Sequence, residues 1–238
     1  MILLFIVLFI LVIYILSTLF GSQTTLNDFN TATETVTISS DTLPSGDGTN
    51  SYTYSIWVYV TDWNYRYGQD KVIFARTKAG AAGASKPINC PMVSLGKTQN
   101  NLHVELSLLP GETGGPSTFK CGIPNVPLQR WANLIISVSG RSLDIYLNGK
   151  LVRTCVMSGV PTVPDGADIY LTPGPANTPG FAGYTAQFRY FPDVINPQQA
   201  WNIYRKGPGG SLLGNLLNKY KLKVSFLKDN VEQYSFSV

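Results

Sequence analysis

Histidine occurs once in this 238-residue chain, cysteine three times, and charged residues make up only 13% of it. Each shortage removes a class of function. One histidine, His103, and no Cys-x-x-Cys pair argue against a zinc cluster. A nucleophilic triad would have to use His103, and no Gly-x-Ser-x-Gly elbow accompanies it. Gly207-Pro208-Gly209-Gly210 is glycine-rich but lacks the Lys-Ser/Thr ending of a phosphate-binding loop. The net charge is only +4, with basic residues scattered from Arg66 to Lys228 and one loose group at Lys219, Lys221 and Lys223. A nucleic-acid footprint needs a denser cluster, so no nucleic-acid partner is expected. The low charge also excludes a coiled coil, and the aromatic share of 12% excludes a disordered chain.

A long run that is almost wholly apolar, by contrast, is present once. Ile2 to Phe20 contains no charge over 19 residues. As a helix it would extend roughly 28 Å at 1.5 Å per residue, the thickness of a hydrocarbon core. The reading is a single transmembrane anchor at 2–20, with lipid membrane as a partner. A cleaved secretory signal is the alternative. Against it stand the missing basic residue before the run, the length of the run, and an exit without a small-x-small site. The first Lys or Arg is Arg66, so the positive-inside rule gives no orientation. Residues 21–30 are polar and read as a stalk.

The rest alternates between strand-like runs and turn residues. Tyr52 to Val60 (YTYSIWVYV) places Tyr52, Tyr54, Ile56, Val58 and Val60 on one face. Leu102 to Leu108 (LHVELSL) alternates in the same way. Leu143 to Leu147 and Lys150 to Met157 flank Asn148-Gly149, a two-residue hairpin turn that needs positive φ at both centres. Asn196-Pro197 is an N-cap followed by proline at the first helical position, opening a short helix that ends near Gly207. A second helical piece is expected over 212–218, and a hairpin around Asp229-Asn230. With 22 glycines and 15 prolines, this spacing predicts an all-β jelly-roll or β-sandwich with one or two short helices, preceded by the transmembrane helix.

Trp131 to Val156 (WANLIISVSGRSLDIYLNGKLVRTCV) resembles the signature hairpin of the concanavalin A-like, laminin G-like lectin/glucanase superfamily. TYSIWVYVTDW with KVIFAR resembles its early strands, and FAGYTAQFRYFPDVINPQQAWNIYRKG its closing strand and helix. The resemblance covers residues 31–207 as one sandwich, leaving 208–238 as a C-terminal extension packed on the sandwich or on a neighbour. The anchor, the sandwich and the segment GGSLLGNLLNKYKLKVSFLKDN are together similar to virion proteins of large nucleocytoplasmic DNA viruses. That likeness implies a minor capsid protein at the virion inner membrane, contacting other capsid or membrane proteins. Fold by itself does not give function.

Catalysis has little material. Glucanases of this superfamily use a Glu-x-Asp-x-x-Glu strand, and no Glu-x-Asp occurs here; the glutamates are Glu34, Glu105, Glu112 and Glu232. His103 and Glu105 share a strand face, which the alternation assigns to solvent. No catalytic residue is expected. Calcium is the one candidate cofactor, with Asp165 and Asp168 as the best ligands; both are equally ordinary turn residues. Trp63, Tyr65 and Tyr67 form an aromatic loop suited to glycan or protein contact, with ordinary packing the equal alternative. Core packing accounts for Trp57, Trp131 and Trp201. Cys90, Cys121 and Cys155 are odd in number, so either one pair is bridged, with Cys121–Cys155 the first to try, or all are reduced. The leading reading is a non-catalytic structural protein linking membrane to capsid shell, and the alternative is a membrane-anchored lectin. A glycosidase ranks behind both.

Overall fold

The computed structural model describes residues 25–44, 51–78, 87–109, 117–162, 166–172 and 180–209, with the backbone of 223–228 and 231–237. The expected anchor at 2–20, Asp165 and the helical piece at 212–218 lie outside the described residues. Among those described, no helix is long and apolar enough to cross a membrane.

Among the described residues, fourteen strands and one α-helix follow in order. They are β1 (Thr25–Thr31), β2 (Val36–Ile38), β3 (Tyr52–Asp62), β4 (Lys71–Lys78), β5 (Ile88–Leu95), β6 (Leu102–Leu108) and β7 (Ser117–Ile123). Then come β8 (Ala132–Ser139), β9 (Ser142–Leu147), β10 (Lys150–Val156), β11 (Ile169–Leu171), β12 (Ala182–Phe191), α1 (Pro197–Arg205), β13 (Lys223–Lys228) and β14 (Val231–Ser237). Two six-stranded antiparallel sheets form a jelly-roll-like sandwich. The first runs β1-β12-β3-β8-β9-β10 and the second β2-β11-β4-β5-β6-β7; β13 and β14 pair as a separate hairpin.

Side-chain alternation builds the core. The even-numbered face of β3 (Tyr52 to Val60) meets Leu102, Val104 and Leu106 of β6, with Leu134, Ile136 and Val138 of β8 beside it, all buried. Tyr54, Phe74 and Phe188 pack ring to ring between the sheets, with centroids 5.1–5.9 Å apart.

Helix α1 opens with a reciprocal capping box between Asn196 and Gln199, with Pro197 at its start. It lays Ala200 and Ile203 on Ile135 and Tyr146 of the first sheet's outer face, a second and smaller core. The turn between β9 and β10 has Asn148 and Gly149 at φ 52° and 74°. A Cβ on Gly149 would lie 2.8 Å from Tyr204 Cβ, so the turn is also the seat of the helix.

One boundary differs from the sequence reading. Thr25–Thr31, which takes up most of the expected stalk at 21–30, is an edge strand paired with β12. Its sequence TLNDFNT shows almost no apolar alternation. An edge strand one side of which needs only backbone hydrogen bonds can form without it.

Cys121 on β7 and Cys155 on β10 are joined as a disulfide, with Cα atoms 6.5 Å apart. Beside it, Arg153 donates through Nη1 to the Gly122 carbonyl at 2.8 Å. Both links close the side of the sandwich where the two sheets end. Cys90 is free and buried.

Candidate functional site

Three loops meet at one end of the sandwich. The first, after β3, is a tight polar turn. Asp62 accepts from the Asn64 amide at 2.8 Å, and the Tyr67 and Gln69 amides bond back to Asn64 and Arg66. The second, residues 96–101, is tied to it by the Gly68 amide on the Lys97 carbonyl at 3.1 Å and by an exposed Lys97–Asp70 ion pair at 3.6 Å. The third, residues 124–130, is tied to the second by reciprocal 2.8 Å bonds between Asn100 and Val126. The Gln129 amide then bonds the Val60 carbonyl of β3, closing the ring of loops.

Arg66, Asn125 and Gln129 all have left-handed φ, between 51° and 57°. They are three of the five non-glycine residues in that conformation among the described residues. Such conformations cost free energy and persist where surrounding contacts over-determine them, which happens most often at functional sites. The rim exposes the amides of Asn64, Gln69, Gln99, Asn125 and Gln129 together with Lys97 and Arg130.

The aromatic loop residues divide into two kinds. Trp63 is half-buried against the main core, and Lys71 Nζ sits 4.5 Å from its ring centroid. Lys71 is fully buried and donates to the Arg66 carbonyl at 3.3 Å. Burial lowers its pKa, against the opposing pull of Asp70. The Arg66 guanidinium lies 5.4 Å over Tyr65. Trp63 and Tyr65 each therefore offer one ring face to a cation of the chain itself. Tyr67, 59% exposed, is the ring turned to solvent.

Other expected positions fall elsewhere. Asp168 accepts from the Ser40 amide at 2.9 Å, which ties two loops together. Asp165 lies outside the described residues, and no group of three acidic, His or Cys side chains gathers among those described. His103 is exposed on the second sheet, and Glu105 forms an ion pair with Lys120 of the neighbouring strand. Of the three tryptophans assigned to core packing, Trp57 is buried under Tyr204 of α1. Trp131 is only half-buried, edge-on to Tyr59 on the outer face of the first sheet, and Trp201 is exposed on α1. The sequence reading missed the loops at 96–101 and 124–130. Their signal, the run Gln99-Asn100-Asn101 and the pair Asn125 and Gln129, is ordinary turn composition until the fold sets them beside Tyr67.

This architecture, with preset amide-rich loops and an exposed ring at one end, defines a lectin-like β-sandwich. The family model described as the concanavalin A-like lectin/glucanases superfamily matches residues 30–200, and the chain belongs to that superfamily. A sequence comparison with curated proteins returns no match. Among solved structures, the receptor binding domain of botulinum neurotoxin mosaic serotype C/D is similar with a TM-score of 0.53 and 11% identity, over 76% of this chain and 42% of that one. A botulinum neurotoxin type C structure, described by its dependence on two ganglioside molecules for cell entry, gives 0.53 and 14% over 72% and 40%. The binding domain of botulinum neurotoxin DC in complex with SialylT gives 0.51 and 13% over 72% and 39%. The chain thus spans less than half the length of each, and the likeness is one of fold.

Proposed function

We propose that the protein is a non-catalytic, lectin-like module that binds glycans at the three-loop end and is held to a membrane by residues 2–20. One observation carries the reading: a ring of loops tied together by backbone hydrogen bonds, which exposes Tyr67 and the amides of Asn64, Gln69, Gln99, Asn125 and Gln129. Each amide supplies donors and an acceptor in a fixed plane, which suits the paired hydroxyls of a sugar. Tyr67 offers an apolar face for the ring carbons. Preset loops also lower the ordering cost of binding. The ganglioside and SialylT named for similar structures are in keeping with a glycan ligand.

A glycan array probed with the full chain tests this. Tyr67→Ala and Gln99→Ala should each weaken any hit about tenfold, near 1.4 kcal/mol, without lowering the melting temperature. Trp63→Ala should lower both, because Trp63 packs on the core. Binding indifferent to Tyr67 and Gln99 would sink the assignment of the site. Turnover of an oligosaccharide lost in Glu105→Gln would restore the glycosidase reading.

A structural role, linking membrane to a capsid shell, has one observation in its favour. The edge strand β10 exposes Leu151, Val152 and Val156, and an uncovered apolar edge can pair with a neighbour's sheet. Crosslinks from β10 to a major coat protein in purified particles would support it.

A further inference from the structure

The two outer faces of the sandwich differ in kind. That of the second sheet presents His103, Glu105, Thr118 and Lys120, polar groups with an ion pair among them. That of the first sheet carries a row of rings across four adjacent strands. Phe29 on β1 stacks on Tyr184 of β12 at 5.4 Å, Tyr184 reaches Tyr59 of β3 at 6.5 Å, and Tyr59 meets Trp131, just before β8, edge-on at 5.5 Å. Phe29 is 59% exposed, Tyr184 39%, and Trp201 on α1 38%. Nothing in the chain's described residues covers this row.

Chain connectivity indicates the occupant. The apolar run ends at Phe20, and β1 begins at Thr25. Five residues span at most about 17 Å. The run therefore delivers the chain directly into the edge strand that bears Phe29, with no room for a long spacer. Tyr, Trp and Phe side chains with a polar rim suit the headgroup layer, where the apolar ring is buried and the phenol or indole N–H stays wet. Arg130 beside Trp131 and Arg205 at the end of α1 are exposed and suited to phosphate, with Asp28 the opposing charge next to Phe29.

We propose that the outer face of the first sheet lies against the lipid surface, with Phe29, Tyr184, Tyr59 and Trp131 at headgroup depth. The sandwich then lies on its side at the membrane, and the amide-rich loop end is held beside the bilayer. This inference rests on the tether in the reading above and is independent of glycan binding.

The test reconstitutes the full chain into phosphatidylcholine–phosphatidylserine vesicles with brominated acyl chains. A bimane fluorophore is attached to Tyr184→Cys in one sample and to His103→Cys, on the opposite face, in another. Several-fold stronger quenching at position 184 than at 103, reduced by Phe29→Ser, is the expected result. Phe29→Cys serves as the second probe site should Tyr184→Cys fold poorly. Equal weak quenching at both faces, in a chain that resists alkaline carbonate extraction, overturns the docking and leaves the tether intact. Release by carbonate overturns the tether and the docking together. Shielding of position 184 that depends on added glycan, added protein or self-association, with no lipid quenching, assigns the row to that partner and also overturns it.

Discussion

Cys90 illustrates what burial does to a single side chain. Its sulfur lies 2.9 Å from the Tyr52 hydroxyl between the sheets. Burial pushes the thiol from the ordinary 9.0 up to about 11, although Tyr52 and the Arg76 cation pull it down. The sign follows from proton counting. Below about pH 9 the thiol is protonated in both states and the burial is neutral. Above it the unfolded thiol ionises first, so unfolding releases a proton and native stability falls as pH rises toward about 11. Lys71 acts in the opposite sense, since its lowered pKa makes stability rise as pH climbs toward the ordinary lysine value. Urea melts of Cys90→Ala against the parent chain isolate the thiol: the parent should lose more stability between pH 9 and 11. Thiol reagents at neutral pH should leave Cys90 unmodified until the chain unfolds. Phe188→Ala, which removes a ring packed on Tyr54 and Phe74, should cost about 3–5 kcal/mol in the same melts. At this scale the loop character of Trp63, Tyr65 and Tyr67 was legible from the chain alone. The sequence carried no sign that Lys71, eight residues further on and buried, would occupy the Trp63 face, because that contact depends on how the loop folds back on β4.

The helix and its hairpin are the element most exposed to single changes. Gly149 is held at φ 74° with Tyr204 and Trp201 directly above. Gly149→Ala should therefore both strain the turn and lift α1 from the sheet, at about 1–3 kcal/mol. Near-ultraviolet circular dichroism should register it through the Trp57–Tyr204 stack, which sits at 5.6 Å. Asn196→Ala removes one half of the capping box and should cost about 1 kcal/mol without moving the helix. A melt that is unchanged by either substitution would show that α1 does not contribute to the cooperative fold. Elements with strong patterns were legible: β3, β6, the Asn148-Gly149 hairpin and the capped helix. Strand β1 was not. Its hydrogen bonds to β12 make it a strand, and backbone pairing leaves no mark in the side-chain sequence.

For the molecule as a whole, the disulfide between Cys121 and Cys155 joins the edge strands of both sheets across 34 residues of chain. Restricting a loop of that length in the unfolded state is worth about 2–4 kcal/mol. The double variant Cys121→Ser/Cys155→Ser should lose that amount, and the parent should lose the same on reduction. Equal stability with and without reductant would mean that the bridge does not form. The amino-acid sequence by itself determined the sandwich class, since alternation at period two and turn residues are local properties that survive in a linear string. It also marked the uncharged run and the scarcity of acid–base groups. Only the tertiary structure decided which distant residues share a surface. Phe29, Tyr59, Trp131 and Tyr184 lie up to 155 positions apart in the chain, yet strand order brings them into one row. The loops at 63–70, 96–101 and 124–130 meet for the same reason. Sheet topology is a product of global packing, so surfaces assembled from distant strands and loops have no local signature for the sequence to carry.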